Sequence, residues 1–169
     1  EGKDITVNIT ELEQPDVPLW AIWALQQYAK ETSKEECLKK YGKFIKSVML
    51  FIEGNHHPDL ELHPNGLLYA DGKNKAVTWM NSTANGKPVV PRSGYIVEFN
   101  ALWYNALCFC AALCELEGKQ ERQQHLLELA EKTKQSFLDT FLNEYGYLYD
   151  YVDGNMIDWS VRPNMIFPV

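Results

Sequence analysis

The connections between helix-forming segments constrain the fold of this chain more than any other feature of its sequence. Apolar residues recur at helical spacing over residues 18–30, 34–54, 97–117 and 119–143. Links of one to three residues join the first pair and the last pair, whereas residues 55–95 separate the two pairs. Because short links join antiparallel neighbours, the segments are predicted to form two helical hairpins whose long connections share one end.

The distribution of apolar residues divides the four helices into two kinds. Segments 18–30 and 97–117 are apolar on nearly all sides, which predicts helices buried on all sides, whereas segments 34–54 and 119–143 each carry a single apolar stripe. This alternation favours an all-α fold with an inner and an outer ring of paired helices. Two pairs cannot close a ring, so the chain is predicted to be an arc of a larger barrel. The alternative is a four-helix bundle, which would have four similar amphipathic helices and short loops.

Charge and reactive side chains exclude several classes of partner. The formal net charge of −7 argues against nucleic acid and against an anionic membrane surface. No apolar run approaches the roughly 20 residues that a membrane helix needs. The cysteines lack zinc-binding spacing, so reduced thiols, a cytoplasmic protein and no metal site are expected. No cofactor is expected either, and three histidines are interpreted as surface-loop residues, namely His56, His57 and His63.

The two long segments at the shared end, residues 55–95 and 145–169, have no helical period and are predicted to be functional loops. Their polar and aromatic side chains form the mixture that binds sugars. Sugar hydroxyls pair with carboxylate, amide and guanidinium groups, and the apolar faces of sugar rings pack on flat aromatic rings. The predicted sugar-facing surface consists of these two loops and the starts of the first and third helices. It contains Asp16, Trp20, Asp71, Thr78, Trp79, Asn81, Arg92, Glu98, Asn100, Trp103, Asp150, Asp158, Trp159, Arg162 and Asn164.

Three stretches of this surface resemble the glucosidase domain of glycogen debranching enzymes in order and spacing. They are Asp16-Val-Pro-Leu-Trp20, then Thr78-Trp-Met-Asn81 with Val97-Glu-Phe-Asn100, and finally Leu148-Tyr-Asp150 with Arg162-Pro-Asn164. The resemblance implies a partial (α/α)6 toroid of the six-hairpin glycosidase type. It also implies that residues 1–169 are a single fragment of that domain, with the parent chain extending on both sides.

The activity implied by the resemblance is hydrolysis of α-1,6-glucosidic branch points in glycogen-type glucans. An inverting mechanism uses an acid and a base carboxyl group roughly 6.5–9.5 Å apart, with water between the base and the sugar. The second carboxylate is expected in a part of the parent beyond this chain. The residues implied to bind substrate are Asp16, Trp20, Trp79, Arg92, Asn100, Trp103, Asp150, Arg162 and Asn164, with Glu98 as a catalytic candidate.

Asn81 departs from the family pattern, which has an aspartate there as the general acid. An amide cannot donate a proton near neutral pH. The parent then uses another acid, with Glu98 or Asp71 the nearest candidates; or it is a non-catalytic α-glucan-binding homologue; or Asn81 is an introduced substitution. A helical interaction scaffold is a third kind of function. As an isolated fragment, the chain is expected to be inactive and to self-associate through the open faces of its first and third helices.

Overall fold

The computed structural model describes residues 14–168, which form two helical hairpins packed against a small antiparallel sheet. All four predicted helices are confirmed, with ends within two residues of those expected from the sequence. The helices are α1 (Val17–Glu31), α2 (Lys34–Glu53), α3 (Val97–Leu116) and α4 (Gln120–Phe141).

Local sequence explains where the hairpins turn. The Ser33 hydroxyl accepts a hydrogen bond from the Glu36 backbone N–H at 3.0 Å, which caps the start of α2. Gly118 turns the chain between α3 and α4 with a φ of +67°, a conformation that favours glycine. Asp16 occupies the position before α1, but its side chain forms no capping hydrogen bond. Its carboxyl group is therefore available for another role.

The helices pack as pairs, α1 with α2 and α3 with α4, and α1 also packs on α3. Twelve residues of α3 are buried, including Phe99 and Trp103, so α3 is the central core helix. Trp23 on α1 is 43% exposed, so one face of this helix is open, as expected for the fragment and not for a helix in a closed ring. By length and composition α3 could cross a membrane. However, 67% of its most apolar 18-residue stretch is buried inside the fold, as in the core helices of globular domains.

The all-α prediction is confirmed only in part, because the four helices are present but the long connections also contain strands. Five of them form an antiparallel sheet in the order β1-β2-β5-β6-β7, and β3 pairs with β4 in a separate hairpin. Strands of two or three residues are too short to show the alternation that identifies a strand in sequence. Their bounds are β1 (Leu60–Leu62), β2 (Leu68–Ala70), β3 (Thr83–Ala84), β4 (Lys87–Pro88), β5 (Gly94–Ile96), β6 (Tyr151–Asp153) and β7 (Met156–Ile157).

The sheet joins both long connections to the start of α3. Strand β5 runs directly into α3 and pairs with β6, with Ile96 opposite Tyr151. The Val97 N–H then donates to the Asp150 carbonyl at 3.1 Å. Gly94 allows this pairing, because a Cβ at that position would lie only 2.3 Å from the Val152 carbonyl oxygen. The polar residues of both long connections therefore meet at one end of the helices. Residues 14–168 contain two helical hairpins, whereas a six-hairpin ring needs four more.

Candidate functional site

The centre of this end is a buried arginine between two buried carboxylates. The side chains of Arg92, Glu98 and Asp150 are each at most 1% exposed. Arg92 Nη1 donates to Glu98 Oε1, and Arg92 Nη2 donates to Glu98 Oε2 at 2.7 Å. Its Nε and Nη2 atoms donate to Asp150 at 2.7 and 2.9 Å, and Nη1 also donates to the Thr78 hydroxyl at 3.5 Å. All five guanidinium N–H groups of Arg92 are thus engaged within the protein.

These ion pairs keep the Arg92 guanidinium charged despite its burial. Burial alone would lower the pKa of Arg92, but the bonds and charges of Glu98 and Asp150 hold that pKa above its usual range. A buried ion pair with all its hydrogen bonds made is strongly disrupted when one partner is removed. Arg92 and Glu98 therefore fix the loop before β5 to the first turn of α3.

A second arginine extends the network towards the surface. Arg162 Nη1 donates to Asp150 Oδ2 at 2.6 Å and to Asp158 Oδ2 at 2.9 Å. Burial would raise the pKa of Asp158, but hydrogen bonds from Ser160 and Arg162 hold it below its usual value. The Arg162 side chain is 19% exposed, and its Nε and Nη2 atoms donate to none of residues 14–168. Arg162 can therefore bind the protein with one nitrogen and a ligand with the others.

An asparagine connects this network to an exposed tryptophan. Asn164 is fully buried; its Nδ2 atom donates to Asp150 Oδ1 and its Oδ1 atom accepts the indole N–H of Trp79, both at 2.9 Å. Trp79 is 49% exposed, so one surface of its ring is open to solvent. The Thr78 hydroxyl accepts the Met80 backbone N–H at 3.0 Å and fixes the turn that carries the ring. Trp79 is thus held in place rather than loosely exposed.

Asp16 lies beside the same tryptophan. It is 3% exposed, and no described group hydrogen-bonds to its Oδ1 atom. Burial, with a smaller effect from the negative charge of Glu98, raises the pKa of Asp16 to about 6, although hydrogen bonds from the Trp20 side chain and the Trp79 backbone act to lower it. Asp16 is therefore close in space to Trp20, Trp79 and Glu98. Such a buried, incompletely paired carboxyl group marks a candidate functional position.

Several residues predicted to contact substrate are enclosed in the structure. The Asn100 Oδ1 atom accepts the Leu68 N–H at 2.7 Å, and its Nδ2 atom donates to the carbonyls of Leu68 and Ile96. Trp103 is fully buried and its indole N–H binds the Gly66 carbonyl. Their contacts support the fold, so the proposed site does not include them. Arg92 and Asp150 are likewise enclosed, and they act on the site only by holding its other members.

The residues weighed as general acids have different surroundings. Asn81 is exposed and lies two residues after Trp79 in the chain. Glu98 is fully buried and its carboxylate is bound by Arg92, which leaves it no access to a glycosidic oxygen. The Asp71 side chain is exposed and accepts the Lys73 backbone N–H. Glu98 and Asp71 were the two candidates for a general acid in place of Asn81, and the contacts of Glu98 argue against that role for it.

The histidines and cysteines do not gather at this site. His57 is buried, which corrects its interpretation as a surface-loop residue, and its Nδ1 atom accepts the Asp59 N–H at 3.1 Å. All four cysteines are free thiols. Within residues 14–168 no group of three or more His, Cys, Asp or Glu residues could hold a metal ion.

One cluster of aromatic side chains was not predicted from the sequence. Tyr145, Tyr147 and Tyr149 alternate along the segment after α4, and their rings lie around Trp159. The alternation of the tyrosines in the sequence was the available signal. In the structure the segment forms a turn, in which the Gly146 N–H donates to the Asn143 carbonyl at 3.0 Å, closed by the bridge between Leu142 and Leu148.

Comparison with known proteins identifies a family for the chain. The sequence model of the family described as Amylo-alpha-1,6-glucosidase matches residues 10–169, which is nearly the whole chain. No curated protein and no solved structure matches the chain significantly. The family match confirms the resemblance carried by the three motif stretches. On the strength of that match, the chain belongs to the amylo-alpha-1,6-glucosidase family.

Proposed function

We propose that this chain supplies a glucose-binding wall of a glycosidase that hydrolyses α-1,6 branch points of glycogen-type glucans by inversion. The observation that carries the proposal is the fixed position of Trp79. Its exposed ring is bound to Asn164, which binds the same Asp150 carboxylate that holds Arg162. An aromatic face and a hydrogen-bonding cation are thus positioned by one buried group.

Two accessible groups, Trp79 and Arg162, and the buried carboxyl group of Asp16 beside them have a chemistry that suits a sugar ring. Trp79 offers a flat apolar face for the C–H groups of glucose. Arg162 has unused N–H donors for a hydroxyl oxygen, and the Asp16 Oδ1 atom can accept from a hydroxyl. Asp16 accepts best as the charged carboxylate, so sugar binding by this residue should strengthen as pH rises through about 6.

The weak point of catalysis in this chain is proton donation. Asn81 can donate its amide N–H to the glycosidic oxygen but cannot protonate it. General acid–base help typically contributes about 10²–10⁴-fold in rate, so catalysis through this position should be slower by a factor in that range. We therefore propose that the binding wall is intact and that the acid step is impaired.

Restoration of the acid tests this proposal. Glucose release from a branched limit dextrin is measured with the longest natural chain that contains these residues, as wild type and as Asn81→Asp. An increase of about 10²-fold or more in the variant supports the proposal. Asn85→Asp, in the tight turn between β3 and β4, is the matched control for the added charge and should leave the rate unchanged. Equal, undetectable release by wild type and Asn81→Asp would contradict a glycosidase.

The second candidate function is α-glucan binding without catalysis, and Asn81 is the observation that favours it. Calorimetric titration with maltooligosaccharides separates the two functions. Saturable binding, with no glucose released by either wild type or Asn81→Asp, supports the non-catalytic binder. Absence of binding by the wild type removes both candidates.

A further inference from the structure

A group of aromatic side chains lies outside the proposed sugar site, on the segments that precede and follow β6 and β7. It consists of Tyr145, Tyr147, Tyr149 and Trp159, and is called the aromatic patch below. Tyr145 is 71% exposed, Tyr147 36% and Trp159 46%. Large aromatic rings exposed as a contiguous group are uncommon on a protein surface and indicate an interaction surface.

The backbone under the patch is well ordered by hydrogen bonds. The buried Asn143 side chain accepts the N–H groups of Tyr145 and Tyr147 at 2.9 and 3.3 Å. The Asn143 N–H also donates to the Tyr147 carbonyl at 3.0 Å. Tyr149 and Trp159 pack edge to face, with ring centroids 4.6 Å apart. The rings are therefore held before any partner binds, which reduces the entropy lost on binding.

The patch is joined directly to the proposed sugar site. Tyr149 immediately precedes Asp150, and Trp159 immediately follows Asp158. Asp150 and Asp158 are the two carboxylates that bind Arg162. Two members of the patch are therefore chain neighbours of the carboxylates that position Arg162, which places the patch next to the proposed sugar site.

The chemistry of the patch fits a neutral polyhydroxylated chain. None of its four side chains carries a charge, and the Tyr145, Tyr147 and Tyr149 hydroxyls make no hydrogen bond to residues 14–168. Flat rings with hydroxyl groups at their edges contact both the C–H faces and the hydroxyls of sugars. Resting on the proposed function of the adjacent site, we infer that the aromatic patch binds the outer chain of the same α-glucan whose terminal glucose occupies that site.

Two contacts on one polymer strengthen binding only when the polymer spans both. The patch should therefore contribute to the binding of glycogen but not to that of maltotriose, which occupies the Trp79 site alone. For two rings, loss of stacking should weaken glycogen binding roughly three- to tenfold.

The experiment uses the double variant Tyr145→Ser and Tyr147→Ser in the longest natural chain. Glycogen affinity is measured by affinity electrophoresis and maltotriose affinity by titration. The matched control is Tyr41→Ser, an exposed aromatic on α2. The expected result is weaker glycogen binding by the double variant, unchanged maltotriose binding, and no change in the control. Urea unfolding of each variant ensures that equally folded proteins are compared.

Unchanged glycogen affinity in a folded double variant would overturn the inference. It would also be overturned if the double variant lost a wild-type self-association in sedimentation velocity without any loss of glycogen affinity, because the patch would then bind a second copy. Failure of the proposed function has a different signature. In that case maltotriose does not bind to the wild type, whereas glycogen still binds and depends on Tyr145 and Tyr147.

Discussion

The indole N–H of Trp79 donates to the Oδ1 atom of Asn164 at 2.9 Å, across 85 positions of the chain. This bond links an exposed ring in the first long connection to a fully buried amide in the second. Since Asn164 also binds Asp150, the ring has a fixed position relative to Arg162. The sugar site therefore depends on contacts between the two connections.

Removal of this link should impair binding more than folding. We expect Asn164→Ala to weaken maltotriose binding about three- to tenfold, because Trp79 and Arg162 each lose a fixed neighbour. The measurement is calorimetric titration, with the exposed Asn155→Ala as control. A variant that binds as tightly as the wild type would show that the ring needs no anchor.

The buried ion pairs should dominate stability at this end of the helices. Arg92→Met leaves Glu98 buried without its cation and removes one of the two arginines that bind Asp150. We expect the free energy of unfolding in urea to fall by about 3–5 kcal/mol. Lys40→Met breaks an exposed pair with Glu36 and should have little measurable effect. A loss below about 1 kcal/mol for Arg92→Met would contradict the role given to the network.

Asp16 should make stability depend on pH. Because its folded-state pKa is raised to about 6, its contribution favours the folded state most at low pH and is lost as pH rises through about 6. Asp16→Asn should therefore stabilise the protein by about 1–3 kcal/mol at pH 7.5, but much less near pH 4. Urea unfolding at both pH values measures this difference.

The exposed Asp71→Asn is the control for a change of charge alone. If the difference in unfolding free energy between the wild type and Asp16→Asn were the same at both pH values, a raised pKa of Asp16 would be excluded. The same substitution should also remove the rise in maltotriose affinity between pH 5 and 7 that the proposed role of Asp16 requires.

The open face of α1 should promote self-association. Val17 and Trp23 are 40% and 43% exposed on this helix, whereas most of α3, which was also expected to be open, is covered. Sedimentation velocity should show oligomers of the 169-residue chain that Trp23→Glu reduces. A concentration-independent monomer of the wild type would contradict this expectation.

Helical pattern and link length predicted the hairpins and the convergence of Asp16, Trp79, Glu98 and Arg162 at one end. They could not predict the sheet, whose strands are too short for an alternating pattern to appear. They also could not separate ligand-facing from enclosed side chains. Arg92 lies on a loop and Glu98 lies six residues later on α3. Only their contact in the folded structure shows that each neutralises the charge of the other. Asn100 was interpreted as a ligand group because its backbone partners, Leu68 and Ile96, are not evident from sequence.

The glucose-binding role of Trp79 and Arg162 is tested by the maltotriose affinity of the wild type, Trp79→Ala and Arg162→Met, measured by calorimetric titration on the longest natural chain. We expect saturable binding by the wild type and a loss of roughly tenfold or more in each variant. Leu50→Ala, at an exposed position on α2, should bind like the wild type. Equal maltotriose affinity in all four proteins would contradict a glucose-binding wall built on Trp79 and Arg162.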